Sequence, residues 1–256
     1  MARRRSSRRR RRGGSGFLYK LLSVLLICMA IILALTLFFR VDTIEVNGEL
    51  RYTEDEIREA AGVKPGDNLY LLNKNDVAAR IVEALPYIEN VHPYRRLPDT
   101  LIIDVTECGR PLAVSQEDGV WLVSPHGKVV GRAESGDAVD YGAITGCTLL
   151  APSVGTPIAL ATEYSAQQTS LIGLLTALES MELLDEVDAV HLDDLGFLSM
   201  DYGGRFTVRM AYGADYDWEL QKLTKALSKD AIQSNMTGTF DLLSDSENVY
   251  FIPNVR

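Results

Sequence analysis

The chain is short of the residues on which most chemistry depends: 256 residues contain three cysteines, three histidines and two tryptophans. Three cysteines cannot make a multi-bridge framework, so stability has to come from packing. Cys28 lies in an apolar run, where a thiol behaves as a small apolar group. Cys108 and Cys147 are left as one pair that could bond if the fold brought them together. His92, His126 and His191 are scattered, and the sequence has no His-Glu-x-x-His pair, Gly-x-Ser-x-Gly elbow, phosphate-binding glycine loop or close cysteine pair. The best remaining candidate for chemistry is His191 with Asp193, which on a strand would share a face and could begin a metal site. A polar strand end needs no metal, and Asp193 with Asp194 is most simply a solvated carboxylate pair. A membrane-bound cell-wall hydrolase would need a better-defined acid, base or metal. We therefore expect no catalytic group, no cofactor and no metal.

Acidic residues are absent from the first 40 positions, which hold ten of the 26 basic residues; residues 41–256 keep 16 basic against 35 acidic, a net charge of −19. Between these halves lies an almost wholly apolar stretch, Phe17 to Phe39, carrying Leu21, Leu26 and Ile32. As a helix, Leu21–Phe39 spans roughly 28 Å, close to the ~30 Å hydrocarbon core of a bilayer. A cleaved secretory signal is the other class, but its apolar core is usually ~7–15 residues and ends at a small-residue site. This run is longer and ends in Phe38, Phe39 and Arg40, so it is expected to be retained as an anchor. The arginines before it, Arg8, Arg9, Arg10, Arg11 and Arg12 with Arg3 to Arg5, fix the tail in the cytoplasm by the positive-inside rule and place the acidic bulk outside. Such a tail could attract nucleic acid, but anionic lipid headgroups are its nearest phosphates. No nucleic-acid ligand is expected.

Beyond the anchor, Ile44 and Val46 alternate with polar neighbours as in a half-buried strand, closed by Asn47 and Gly48. Thr53 and Glu56 form a capping-box pattern, opening a helix that runs to about Ala61 and stops at Gly62. A second helix is expected after Asn75, with Val77, Ala78, Ile81, Val82 and Leu85 at helical spacing and Pro86 ending it. Strands follow over Ile88–Arg96 and Leu101–Glu107. The order is strand, helix, helix, strand, strand.

That order, with Val41–Gly48 at its start, Gly62–Leu69 in its middle and Pro86–Glu107 at its end, resembles a POTRA (polypeptide-transport-associated) domain. Placed directly after one basic-flanked apolar helix, it is similar to the FtsQ/DivIB family of bacterial division proteins. The later chain fits more loosely. A three-run meander is expected over residues 111–130 and a loop over 131–140. Ala143 to Gly146 resembles a family segment ending in Thr-Gly, although Tyr141 and Gly142 replace its usual Leu-Pro. The turn Ser124–Gly127 departs from the family's aromatic and Asp-x-x-Gly pattern while keeping its glycine.

Further on, Leu171, Leu174, Leu175, Leu178 and Met181 form one stripe of a helix expected over Glu163–Leu184, most simply core packing and otherwise a partner groove filler. Strands are expected over Val187–Leu192, Gly196–Met200 and Arg205–Met210, the last two joined at Gly203 and Gly204. A final helix over Asp217–Ala231 is expected to expose Lys222, Lys225 and Lys229. Two apolar segments, Thr239–Leu243 and Asn248–Ile252, end the chain.

The fold class is therefore α+β: a transmembrane helix, then a POTRA domain (β-α-α-β-β), then a second mixed β-rich domain. The expected divisions are a basic tail over 1–16, the helix over 17–39, the POTRA domain over 40–108 and the second domain over 109–254. The resemblance implies a non-catalytic division scaffold in the cell membrane at the septum, with single-pass partners of the FtsL and FtsB/DivIC type and no small-molecule substrate. Two other classes stay open, a POTRA-bearing secretion or sporulation component and a membrane-anchored cell-wall enzyme. For the scaffold, the last strand is the expected docking edge, with Leu243, Tyr250, Phe251 and Ile252 as partner-binding candidates and Tyr250 leading. The alternative is that Tyr250 and Ile252 pack inward. Asp241 is expected to shape the strand, and Leu243 stands where some family members carry an arginine.

Overall fold

The computed structural model describes residues 15–48, 51–134, 141–228, 232–233, 235–244 and 249–254. The expected cytoplasmic arginines, Arg8 to Arg12, lie outside these residues. Helix α1, Ser15–Phe38, carries the apolar span Phe17–Thr36, none of which is buried against the rest of the protein. A twenty-residue span, apolar but for Lys20, Ser23 and Thr36 and with its apolar side chains exposed all round, suits lipid on all faces, since the helix pairs its own backbone. Phe17, Leu21, Leu26 and Ile32 are all exposed. Phe39 is not: it lies one residue past the helix, and its ring packs against the next unit, 5.0 Å from that of Tyr70.

The first globular unit follows without a linker. Strand β1, Thr43–Asn47, leads to helices α2, Glu54–Ala61, and α3, Lys74–Ala84, and then to strands β2, Ile88–Arg96, and β3, Thr100–Glu107. The sheet order is β1-β3-β2, with β1 parallel and β2 antiparallel to β3. The capping box forms as the sequence predicts: the Glu56 amide donates to Thr53 Oγ1 at 3.3 Å and the Thr53 amide to Glu56 Oε2 at 2.8 Å. These bonds hold the Glu56 carboxyl below its ordinary value. Gly62 ends α2 at φ 63°, a left-handed cap that glycine reaches without a Cβ clash. Helix α3 begins earlier than expected because Asn73, not Asn75, is its cap. Ile57, Val77, Ile81, Leu101 and Ile103 are fully buried between helices and sheet.

The second unit is one nine-stranded sheet. Strands β4, Leu112–Gln116, β5, Gly119–Val123, and β6, Val129–Ala133, form the expected meander. β6 takes up the start of the expected 131–140 loop, whose residues 135–140 lie outside the described ones. After β7, Gly142–Thr145, comes helix α4, Ser165–Ser180, shorter at both ends than the stripe predicts. Its Leu171, Leu174, Leu175 and Leu178 are buried as core packing requires. Glu182 takes a positive φ of 58°, breaking the helix before Leu184. Strands β8, Val187–His191, β9, Phe197–Tyr202, and β10, Phe206–Ala211, follow, with both Gly203 and Gly204 left-handed in the hairpin. Helix α5, Tyr216–Leu227, and strands β11, Gly238–Asp241, and β12, Tyr250–Pro253, complete the described chain. The sheet order is β12-β11-β10-β9-β8-β7-β4-β5-β6.

Helices α4 and α5 share one core with Met200, Val208 and Phe240 of the sheet. Of the lysines expected to be exposed on α5, Lys225 is exposed, Lys229 lies outside the described residues and Lys222 corrects the expectation. It is buried beside Glu219, with Nζ 2.7 Å from Oε2. Cys108 and Cys147 are free thiols packed against different clusters, and burial pushes each up to about 11.

Candidate interaction site

β12 has one neighbour among the described residues, β11, so its other side is a sheet edge. The register sets which groups face out. Asp241 opposes Tyr250, Thr239 opposes Ile252, and the Asn254 amide donates to the Thr237 carbonyl at 2.9 Å. Residues two apart on a strand point their amides the same way. Tyr250, Ile252 and Asn254 therefore turn their backbone groups to β11, and Phe251 and Pro253 turn theirs to the free edge. Pro253 has no amide to offer, which is why a proline is tolerated there. The edge so offers one donor, the Phe251 amide, and the carbonyls of Phe251 and Pro253.

Side chains divide the opposite way. Phe251 turns inward, its ring 4.8 Å from Phe240 and 6.1 Å from Phe206, and so ties β12 to the core. Tyr250 and Ile252 lie on the other face at 58% and 54% exposure. Leu243 is half-buried, and with Asp241, Ser244, Tyr250, Phe251 and Ile252 it lines an open hollow at this corner. The Leu243 amide donates to Asp241 Oδ1 at 3.0 Å, a local turn that shapes the chain as it leaves β11. Of the expected partner-binding residues, Phe251 presents backbone, while Tyr250 and Ile252 present side chains.

The register also brings in residues that no linear pattern marked. Arg209 pairs with Asp241 across β10 and β11, 3.3 Å apart, and its guanidinium stacks 4.1 Å over the Phe197 ring. The open face thus runs from Tyr250 through Asp241 to Arg209, an apolar and charged strip beside the edge. The alternation of Phe206, Val208 and Met210 with Thr207 and Arg209 carried the signal, but the neighbouring strand was needed to read it. Further along this face, His191 Nε2 lies 2.9 Å from Asp201, and Thr145 Oγ1 bridges His191 Nδ1 and Asp193. That network satisfies His191 and Asp193 within the protein. Among the described residues, no group of three or more histidine, cysteine, aspartate or glutamate side chains could hold a metal ion.

An exposed apolar helix long enough to cross a membrane continues directly into a β-α-α-β-β unit of the POTRA kind, followed by a broad sheet with an open edge. Residues 39–107 match the POTRA domain, FtsQ-type. The cell division protein FtsQ of Syntrophotalea carbinolica is 29% identical over 211 residues, which cover 78% of this chain and 72% of that one. FtsQ of Anaeromyxobacter sp. (strain K) is 32% identical over 198 residues, 74% of this chain and 62% of its own. The cell division protein DivIB of Clostridium botulinum is 21% identical over 233 residues, 90% and 89% of the two chains. The chain thus carries an FtsQ-type POTRA domain and is similar over most of its length to cell division proteins named FtsQ and DivIB.

Proposed function

We propose that this protein is a non-catalytic scaffold of the division site. In this reading the N-terminal tail is cytoplasmic, α1 crosses the membrane once, and the POTRA unit and the large sheet lie outside at the septum. There they capture small single-pass partners of the FtsL and FtsB/DivIC type. The observation that carries the proposal is the free edge of β12, flanked by exposed Tyr250 and Ile252. An extended partner segment would add a strand there, pairing its backbone with the Phe251 amide and carbonyl and laying side chains over the strip from Tyr250 to Arg209. Tyrosine suits an anchor position because it adds large contact area and a hydroxyl at small entropic cost. Anchored partners share the plane of the membrane with this chain, so modest contacts gain effective concentration.

The test is capture of tagged full-length protein from mild detergent with identification of the bound single-pass proteins. Tyr250→Ala, which removes an exposed ring without touching the core, is expected to reduce that capture by about tenfold or more, as truncation of an interface anchor does. Full capture by a folded Tyr250→Ala protein would remove Tyr250 from the interface. Failure to recover any single-pass protein with the parent chain would remove the scaffold reading itself.

A further inference from the structure

We infer that the membrane-proximal end of the POTRA unit is itself a lipid-contacting surface, with Tyr70, Leu71 and Leu97 seated in the headgroup layer of the bilayer that α1 crosses. This rests on the reading of α1 as a membrane span. The three side chains are 51%, 79% and 53% exposed, a concentration of apolar surface at one end of a unit whose other apolar residues are largely packed inside.

Their position relative to the helix is fixed by hydrogen bonds. The apolar span Phe17–Thr36 is 20 residues long. At helical rise that is roughly 30 Å, the thickness of the hydrocarbon core, so Thr36 stands at its boundary. Asn68 Nδ2 donates to the Thr36 carbonyl at 3.3 Å, and the Leu69 amide donates to the Phe39 carbonyl at 2.9 Å. The same Asn68 accepts from the amides of Tyr70 and Leu71, at 2.9 and 3.1 Å, through Oδ1. One side chain thus binds the end of the span and shapes the loop that carries the exposed pair. The layer between hydrocarbon and water is about 5–8 Å deep on each side, so residues this close to Thr36 lie within it.

A second segment converges on the same place. Arg95 donates through Nη2 to the Leu72 carbonyl at 2.7 Å, and the Asp42 amide donates to the Asp99 carbonyl at 2.9 Å, which brings the turn holding Leu97 beside the helix end. The rings of Phe38, Phe39 and Tyr70 follow one another at centroid distances of 5.2 and 5.0 Å, an aromatic group at the level where such rings favour the interface. Arg40, Arg95 and Arg96 are accompanied here by Asp42, Asp67 and Asp99, so the surface is not a cationic footprint. Its affinity is apolar, and its contact should survive high salt.

The experiment uses full-length protein in vesicles of phosphatidylcholine and phosphatidylglycerol whose acyl chains carry bromine near the headgroup end. Tryptophan is introduced by Leu71→Trp, by Leu26→Trp within the span and by Leu195→Trp in the β8–β9 turn, each compared with the parent. Leu71→Trp is expected to lose emission and shift to shorter wavelength, at low and high salt alike. Leu26→Trp should be quenched when bromine lies deeper in the chain, and Leu195→Trp not at all. Quenching of Leu26→Trp without Leu71→Trp would overturn the interface and leave the patch to a protein. Failure of Leu26→Trp to quench would overturn the membrane span and this inference with it. Equal quenching at Leu71 and Leu195 would show unspecific adhesion and also overturn it.

Discussion

At the scale of single residues, Lys222 shows how a charge can be structural. Its ammonium and the Glu219 carboxylate lie one helical turn apart on α5, with side chains 6% and 8% exposed. Among the described residues Glu219 Oε2 accepts no hydrogen bond of regular geometry, so the pair is held by charge more than by direction. Removing one member leaves the other charged in a poor solvent, which costs about 3–5 kcal/mol, whereas removing both is often neutral. Lys222→Met is therefore expected to lower the thermal midpoint of the detergent-solubilised chain by roughly 10 °C, and the double variant Glu219→Leu, Lys222→Met to recover most of it. Near-ultraviolet circular dichroism would follow both. An unchanged midpoint for the single variant would mean that water reaches the pair. Helical spacing alone placed Lys222 on an outer face; its burial depends on what packs over α5, which no local pattern encodes.

At the scale of elements, the edge strand makes a sharper statement than its composition. Pro253 faces outward, so β12 offers one amide at its free side where another residue would offer two. Proline on an edge limits pairing with further copies of the same sheet. Pro253→Thr is expected to raise self-association of the solubilised protein at a given concentration, read by sedimentation velocity, and to leave its circular dichroism unchanged. A variant that stays as dispersed as the parent would show that the edge is protected by other means. The resemblance implied a docking edge here, but which of Val249, Tyr250, Phe251 and Ile252 face outward was not legible, because four successive apolar residues carry no alternation and so no face. The β1-α2-α3-β2-β3 order was legible for the converse reason: its capping box, its glycine stop and its alternating strands each act within a few residues. The strand order of the large sheet was not. Its parallel pairs β4–β7, β7–β8 and β10–β11 join segments separated by loops and helices, and only packing decides them.

At the scale of the whole molecule, the position of β12 relative to α1 depends on how firmly the large sheet is held to the POTRA unit. Lys128, which immediately precedes β6, donates through Nζ to the carbonyls of Val82 and Ile88, each at 3.2 Å. His126 lies 3.6 Å from Glu89 of the POTRA unit and 3.3 Å from Glu179 of α4, and Glu179 accepts from the Gly109 amide at 2.7 Å. Burial pushes the Lys128 ammonium below its ordinary value, so the charge is held there at some cost to the folded state. Two consequences of Lys128→Met then oppose each other. Losing two charged hydrogen bonds weakens the joint, while losing a partly desolvated charge relieves the fold, so global stability should change little. The joint itself has no such compensation. If it loosens by about 1–2 kcal/mol, amides around Tyr87 to Cys108 at the junction should exchange about tenfold faster. Hydrogen–deuterium exchange on the full chain in detergent would read this, with peptides from β10 and β11 as the unchanged reference. Unchanged exchange at the junction would assign its rigidity to the apolar contacts of Tyr87 and Cys108 with Ala113, Val120 and Leu122, and the lysine would then be incidental to where the edge is presented.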